Sequence, residues 1–167
     1  MKKTVSLFAR NYDGDRLVRD ELIPGAEWVV AGEGVATRKL DGTCCLVRNG
    51  KLFKRYDAKA GKAPLAGFEP AQAPDAVSGH WPEWMPVGDG PDDELCGPKV
   101  QSNPEGFTAH VLIRHGSEVL ADCPRNFAAL RDYLSVRDIE GVVWHHPDGR
   151  MVKLKGKDFG ITRGKLR

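Results

Sequence analysis

The residues best suited to chemistry are lysines and acids that lie far apart in the sequence. Lys39 opens the element Lys39-Leu40-Asp41-Gly42, Glu94 precedes Gly97-Pro98, Glu140 precedes Gly141-Val142-Val143, and the last element is Lys153-Leu154-Lys155. A lysine amine attacks a phosphorus atom only when it is unprotonated, and nearby cations both favour that form and hold phosphate oxygens. A surface ion pair would explain each residue alone, but the set predicts chemistry at a phosphate group.

A first hairpin is predicted directly after the Lys39 element. Asn49-Gly50 supplies the positive φ angles of a two-residue turn and joins strands expected at 43–48 and 51–56. Lys39 would therefore lie between an apolar strand and this hairpin.

A second hairpin would carry the remaining charged elements. Asp148-Gly149 joins strands expected at 140–146 and 150–155. If this turn also has two residues, the opposite pairs are Val142 with Lys155 and Trp144 with Lys153. Strand alternation then predicts that Glu140, Lys153 and Lys155 share one face of the sheet.

The other elements complete an α+β fold with mainly antiparallel sheets. Asn126 is a helix cap, and the apolar spacing after it predicts a helix to about residue 138. Strands at 108–115 and 118–120 flank Gly116-Ser117 and predict a third hairpin. Residues of about 57–93 are rich in Pro and Gly and predict a long irregular loop, in which Trp81 and Trp84 are either packing anchors or stacking surfaces.

Length and composition are those of an ordinary globular chain. At 167 residues we expect a single domain over 1–167. No apolar run approaches the roughly 20 residues of a membrane span, and no signal peptide is evident, so we expect a cytoplasmic protein with no membrane partner. The four cysteines lack zinc-site spacing and predict reduced thiols. The basic stretch from Arg150 onward is typical of nucleic-acid contact or of a solvated surface.

Taken in order, these elements resemble the superfamily of covalent nucleotidyltransferases, which contains polynucleotide ligases and capping enzymes. Further segments are similar to the small ATP-dependent RNA ligase family that includes the vertebrate 5′-3′ RNA ligase, namely Gly32-Glu33-Gly34-Val35-Ala36-Thr37, Asp41-Gly42-Thr43-Cys44-Cys45, Gly79-His80-Trp81-Pro82 and Leu112-Ile113-Arg114-His115-Gly116. The resemblance implies an ATP-grasp-like nucleotidyltransferase fold, ATP and Mg²⁺ (or Mn²⁺) as cofactors, and joining of 5′-phosphate and 3′-hydroxyl RNA ends through lysyl-AMP.

The resemblance also implies a role for each matching residue. Lys39 is the nucleophile, Asp41 orients its loop, and Lys153 and Lys155 contact phosphates. Glu140 helps to hold a hydrated magnesium ion, and Glu94 meets the ribose or a metal-bound water.

The nucleotide contacts are less fully specified by the resemblance. Arg55 would touch the ribose or a phosphate, with Lys54 as its rival. Phe107 is the nearest candidate for stacking on adenine. Many relatives carry a base-reading glutamate just before the nucleophile, whereas this chain has Thr37 and Arg38 there. We therefore include Thr37 and Arg38 among the candidate nucleotide-binding residues.

We expect no OB-fold after Lys155, which would distinguish this chain from the DNA ligases and capping enzymes. We therefore expect a protein partner, or a minimal design, to make up for the missing C-terminal domain. The resemblance to the RNA ligases implies single-stranded or nicked RNA ends as substrate. Two alternatives stay open, a capping-type guanylyltransferase and a catalytically idle module that binds a nucleotide or RNA. The missing OB-fold and the Cys44-Cys45 motif weigh against the first, and the intact lysines weigh against the second.

Overall fold

A computed structural model describes residues 4–49, 51–58, 66–71, 73–74, 79, 81–88 and 93–163. The strands are β1 (Val5–Ser6), β2 (Phe8–Arg10), β3 (Val18–Leu22), β4 (Val35–Lys39), β5 (Thr43–Arg48), β6 (Lys51–Ala58), β7 (Glu69–Pro70), β8 (Trp81–Gly88), β9 (Asp93–Cys96), β10 (Val111–Arg114), β11 (Gly141–His145) and β12 (Met151–Lys155). The helices are α1 (Glu27–Val30), α2 (Phe127–Ser135) and a 3₁₀ helix (Gly156–Phe159). The chain is thus α+β, mostly sheet, and the sheets are antiparallel except where β1 pairs with β12, which confirms the predicted class. No helix in these ranges is long and apolar enough to cross a membrane.

The described residues form two compact units. The lysine unit comprises 4–40 and 116–163, and the hairpin unit comprises 41–115. The single domain expected from the length stays a prediction.

The lysine unit is built on a four-stranded sheet in the order β1-β12-β11-β4. One face of it is apolar and buries Trp144 and Leu154 against Leu130 and Leu134 of α2 and against Trp28 of α1. Burial of each such side chain stabilises the fold by roughly 1.5–3 kcal/mol. Alternation along β4 and β12 places the lysines on the opposite face.

Helix α2 forms as the sequence predicts, although it is shorter at its C-terminal end. The Asn126 side chain accepts a hydrogen bond from the Ala129 N–H (2.9 Å), which satisfies one of the free donors at the helix start. Leu130 and Leu134 follow at helical spacing and are buried. The helix ends at Ser135 rather than near residue 138.

The predicted register of the second hairpin is wrong by one residue. Gly141 lies opposite Lys155 and Val143 opposite Lys153, so Val142 and Trp144 do not face these lysines. The reason is the turn, which has three residues: His146 N–H donates to Arg150 O (2.9 Å), and Gly149 adopts φ +89°. A type I turn followed by a left-handed glycine makes such a three-residue loop.

The hairpin unit contains a six-stranded sheet in the order β10-β9-β5-β6-β8-β7. Its first hairpin is confirmed, because Arg48 lies opposite Lys51 and Asn49 has φ +53°. Gly50, the other predicted turn residue, lies outside the described residues. Cys44 packs with Phe53 and Trp84 in a small core, and the cysteines of the chain are free thiols as predicted.

The prediction of an irregular loop over most of 57–93 is wrong at 69–70 and at 81–88, which form strands. Residues Trp81–Gly88 form β8, which lies between β6 and β7. Proline is tolerated because Pro82 uses its carbonyl oxygen, which accepts the Ala71 N–H (2.9 Å), and Pro86 lies beside a register shift in the β6 pairing. Trp84 is a packing anchor, 5% exposed. The parts of the predicted loop at 59–65, 72, 75–78, 80 and 89–92 lie outside the described residues.

The third predicted hairpin is also wrong. Strand β10 pairs with β9 in the hairpin unit. Residues 118–120 pair instead with β4, where Arg38 N–H donates to Glu118 O (2.8 Å) and Leu120 N–H donates to Ala36 O (2.9 Å). Each segment finds a partner distant in sequence, which the local turn at Gly116 could not reveal.

Candidate functional site

The candidate site lies on the lysine face of the sheet, where three residues of neighbouring strands form one row. Gly141 of β11 lies opposite Lys39 of β4 on one side and opposite Lys155 of β12 on the other. Because strands are about 4.8 Å apart, the Cα atoms of the two lysines are separated by about 10 Å. Since the residue between them has no side chain, the side chains of both lysines can extend over it toward each other.

Gly141 cannot be replaced without moving a strand. A Cβ atom at this position would lie 2.1 Å from Leu154 O and 2.7 Å from Lys155 Cα. Both neighbours are backbone atoms, which cannot rotate away as a flexible side chain can. The glycine of Glu140-Gly141-Val142-Val143 is therefore needed for the close approach of β11 and β12.

Glu140 joins the two lysines. Its Oε2 accepts a hydrogen bond from Lys39 Nζ, and its Oε1 lies 2.9 Å from Lys155 Nζ. Lys39 Nζ also donates to Leu40 O (3.1 Å). The side chains of Lys39, Glu140 and Lys155 are 17%, 10% and 19% exposed, so the three charges are largely withdrawn from water. Glu140 directly precedes β11 and reaches both lysines although the face predicted from the two-residue turn was wrong.

The two lysines determine the titration of Glu140. Burial of its carboxyl group by itself would raise the pKa, but attraction and hydrogen bonding to Lys39, followed by those to Lys155, outweigh burial. The pKa of Glu140 is consequently held below its ordinary value of 4.5. Glu140 is an anion at neutral pH and keeps the pair of ammonium groups together.

A second row of the same face contains Thr37, Val143 and Lys153. Thr37 is 2% exposed and donates its hydroxyl proton to Val143 O (3.1 Å). His145 Nε2 lies 3.1 Å from the same hydroxyl oxygen and must be the donor, because the single Thr37 proton is already used. Burial lowers the pKa of His145, which favours the neutral imidazole over the imidazolium. Nothing in the sequence around His145 marks this contact, which depends on the pairing of β4 with β11.

The lysine face is therefore cationic. It carries Lys39, Lys153 and Lys155, and Glu140 pairs with two of them, Lys39 and Lys155. Such a face favours a polyvalent anion. Lys39 and Lys155 each lie at the end of a strand. No group of three or more His, Cys, Asp or Glu side chains that could hold a metal ion occurs among the described residues. Of the two predicted metal-binding residues, Glu140 belongs to the lysine unit and Glu94 to the hairpin unit.

Asp158 is a residue of this region that sequence reasoning missed. Its Oδ2 accepts the N–H of Lys155 (3.0 Å), and its Oδ1 accepts a hydrogen bond from Arg10 Nη2. The sequence carries only half of a signal, because a helix capping box pairs an acid with a Ser or Thr three residues earlier, whereas Lys155 stands three residues before Asp158. From the sequence alone, Asp158-Phe159-Gly160 is interpreted as a chance match to a motif.

Four predicted site residues belong to the hairpin unit. Asp41 N–H donates to Glu105 Oε1 (3.0 Å), and Arg55 Nε lies 3.3 Å from Asp57 Oδ1. Phe107 is half-buried and exchanges hydrogen bonds with Asn103 through its backbone. Glu94 lies opposite Cys44 in the backbone register of β5 and β9. These residues are thus not brought together with Lys39 within one unit.

Lys54 and Arg55, the rival ligand contacts, are adjacent on β6 and therefore point to opposite faces of their sheet. Arg55 lies opposite the buried Trp84, and Lys54 lies opposite Met85. The choice between them stays open.

Arg38 lies on the opposite face of β4 from Lys39. Its Nη1 is 3.3 Å from Glu118 Oε2, across the edge of the sheet. A nucleotide contact through Arg38 stays a prediction, and it would require this residue to act from the far side of the strand.

Much of the basic charge near the C-terminal end is paired with acids. Arg150 Nε lies 2.7 Å from Asp148 Oδ2, and Arg163 Nε lies 3.0 Å from Asp138 Oδ1. The last residues, 164–167, lie outside the described residues. Among the basic residues of this stretch that the structure describes, Lys153 and Lys155 are the two that lie on the lysine face.

Comparisons with known proteins add no family. Neither the models of protein families nor the curated proteins give a match to this chain.

Proposed function

We propose that this chain is an ATP-dependent RNA ligase of the nucleotidyltransferase type, in which Lys39 forms a covalent bond with AMP. The observation that supports this most directly is the row of Lys39, Gly141 and Lys155, bridged by Glu140. A nucleophilic amine, a second cation for phosphate and a carboxylate for a metal ion meet in one place. These are the groups that the transfer of a nucleotide needs.

In the first step, Lys39 Nζ would attack the α-phosphorus of ATP. A bond from nitrogen to phosphorus forms, and the bond from that phosphorus to the pyrophosphate oxygen breaks. Lys39 must first release a proton to solvent and give up its contact with Glu140, since an ammonium group has no lone pair. Lys155 and Lys153 would hold the phosphate oxygens and neutralise the leaving pyrophosphate.

Glu140 has the chemistry to hold a hydrated magnesium ion. Mg²⁺ keeps several waters and binds proteins through one or two carboxylates together with substrate phosphates. When bound, the ion would supply positive charge at the phosphates. Glu140 would then exchange its contact with Lys39 for one with the hydrated ion, which would free the amine.

In the later steps AMP would pass from Lys39 to the 5′-phosphate of an RNA end, and a 3′-hydroxyl would displace it. RNA ends are thus the proposed substrate, and a protein partner could extend the RNA-binding surface. A nucleotidyltransferase fold and a cytoplasmic location belong to the same proposal. The nucleotide contacts predicted for Asp41, Arg55, Glu94 and Phe107 belong to the same proposal.

The decisive experiment is labelling of the protein with α-labelled ATP or GTP in the presence of Mg²⁺. We expect AMP on Lys39, located by mass mapping of the labelled peptide, and no label on the Lys39→Ala variant. Lys157→Ala is the matched control, because Lys157 is an exposed lysine of the same unit. Label from GTP alone would indicate a capping-type enzyme, and binding of ATP without label would indicate an idle binding module.

A second experiment tests the RNA step. The adenylated protein is mixed with a short RNA that carries a 5′-phosphate and a 3′-hydroxyl, and circular product is measured. If Lys39 is adenylated but AMP never reaches the RNA, the ligase assignment is wrong while the nucleotidyltransferase assignment stands.

A further inference from the structure

Asp158 is a buried charged residue beside the lysine face that the proposed chemistry leaves unused. It is 1% exposed and lies in the 3₁₀ helix that follows β12. Both of its oxygens are engaged, Oδ2 by the N–H of Lys155 (3.0 Å) and Oδ1 by Arg10 Nη2. One of these bonds therefore connects Asp158 to the backbone of a phosphate-binding candidate.

Asp158 supplies a hydrogen-bond acceptor that the sheet lacks at this point. Strand β1 runs parallel to β12, and Leu7 N–H donates to Lys153 O (2.8 Å). The next bond of a parallel ladder would run from Lys155 N–H to Leu7 O. Leu7 O instead accepts the N–H of Ile23 (3.0 Å). Asp158 thus replaces the strand partner at the residue where β12 ends.

This bond fixes the backbone from which the Lys155 side chain extends. Lys155 keeps extended angles, φ −114° and ψ 150°, although a 3₁₀ helix begins at the next residue. On its other side, Gly156 N–H donates to Glu140 O (2.9 Å). Because the ammonium group lies at the end of a long side chain, a small rotation of this backbone would move Nζ by on the order of 1 Å, enough to cost up to about a hundredfold in rate.

Arg10 makes a buried carboxylate compatible with a cationic face. A buried carboxylate with no cation is strongly disfavoured. Without Arg10, the negative charge of Asp158 would also offset the positive charge of the nearby lysines. The Arg10–Asp158 pair keeps the hydrogen-bond acceptor and leaves the net charge of the lysine face unchanged.

We propose that Asp158, held by Arg10, is a positioning residue that places the Lys155 ammonium group for binding a polyphosphate. The inference rests on the proposed function insofar as the polyphosphate is that of ATP. Asp158 touches no substrate, and it acts through the backbone of Lys155.

The test compares Asp158→Ala, Lys155→Met and the double variant in single-turnover AMP transfer to Lys39 at saturating ATP. Asp158→Ala should slow transfer by about tenfold or more, and Asp158→Asn should slow it less, because its amide oxygen can still accept the Lys155 N–H. In the Lys155→Met background, Asp158→Ala should reduce the transfer rate by less than about a further twofold, since the ammonium group that Asp158 positions is gone. A merely structural role predicts the same factor in both backgrounds.

Asp15→Ala is the matched control. Asp15 also accepts a backbone N–H, that of Leu17 (3.0 Å), and an arginine, Arg19 (2.9 Å), in the same unit. Asp15 is half-exposed, so the transfer rate of Asp15→Ala should stay within about twofold of the wild-type rate. Circular dichroism establishes that each variant is folded, and Asp158→Asn replaces Asp158→Ala in the cycle if the latter does not fold.

A binding measurement separates failure of this inference from failure of the proposed function. Titration with tripolyphosphate should give weaker binding for Asp158→Ala and for Lys155→Met, and no further weakening for the double variant. If the wild type takes no AMP but binds tripolyphosphate, the ligase proposal is wrong and the binding cycle alone decides the role of Asp158. Three outcomes would each overturn the inference. They are an equal effect of Asp158→Ala in both backgrounds, a wild-type rate and affinity for Asp158→Ala, and no tripolyphosphate binding by the wild type.

Discussion

Replacement of Glu140 by glutamine tests the electrostatics of the site independently of any catalytic activity. The change removes the negative charge between Lys39 and Lys155 and keeps the size and one oxygen acceptor of the side chain. Removal of one partner from a buried ion pair costs about 3–5 kcal/mol, and an exposed pair contributes about 0–1 kcal/mol. The three side chains here are 10–19% exposed, which is closer to the buried case.

We therefore expect Glu140→Gln to lower the free energy of unfolding by about 2–3 kcal/mol at pH 7, after allowing for the retained oxygen. For a chain of this size, that corresponds to a decrease of about 4–12 °C in Tm. The assay is thermal and urea denaturation of both proteins between pH 3 and pH 8.

The pH dependence has a defined sign. The pKa of Glu140 in the folded chain lies below the ordinary value of 4.5. The carboxylate therefore stabilises the fold above about pH 4.5 and loses this contribution as the pH falls through the folded pKa. The difference between wild type and Glu140→Gln should be complete near neutral pH and shrink in acid.

The matched control is Glu118→Gln, which removes a carboxylate from the exposed pair with Arg38 in the same unit (3.3 Å). Its expected effect is below about 0.5 kcal/mol. If Glu140→Gln destabilises the chain no more than Glu118→Gln does, or by the same amount at pH 3.5 as at pH 7, the description of Glu140 as the charged bridge between two lysines is wrong.

Three further predictions concern the elements around the site. Gly141→Ala should destabilise the chain by about 3 kcal/mol or more, because its Cβ would overlap the backbone of β12. Gly156→Ala should be tolerated, because its Cβ would meet its nearest side-chain neighbour at 3.6 Å. Equal losses of stability for the two variants in urea denaturation would show that this is wrong. Asn126→Ala should cost about 1 kcal/mol and Asn126→Ser much less, measured by the same method, and equal losses would show that the cap contributes nothing. His146 has a raised pKa because of its hydrogen bond to Glu33, so its contribution to stability should be largest below about pH 6.5 and be lost as the pH rises through the folded pKa. A Tm difference between wild type and His146→Gln that does not change with pH would refute this.

Local chemistry explains the elements that could be predicted from the sequence. The hairpin at Asn49 and helix α2 were predictable because a turn residue with positive φ and a side-chain cap act within a few residues of chain. The α+β class and the free cysteines follow from similarly short patterns. The candidate residues Lys39, Glu140 and Lys155 were identified by residue type and order in the same way.

Long-range pairing explains where sequence reasoning failed. Residues 118–120 pair with β4 and the proline-containing β8 pairs with β6, and neither partner is signalled by nearby residues. Sequence patterns predict strand pairing least well where the possible partner strands are distant in the chain. The energies of the alternative pairings differ only in the folded state.

The sequence by itself determined which side chains can do chemistry, since Lys39, Glu140, Lys153 and Lys155 owe their charge to residue type alone. It also determined that Lys153 and Lys155 share a face, because strand alternation holds in any register. Only the tertiary structure decided what these residues face. The left-handed Gly149 adds one residue to the turn and shifts the register, which brings Gly141 rather than a valine between Lys39 and Lys155. A one-residue shift of register reverses which side chains meet across a sheet. The relative energy of the two registers depends on the turn, the close approach at Gly141 and the buried Asp158 together.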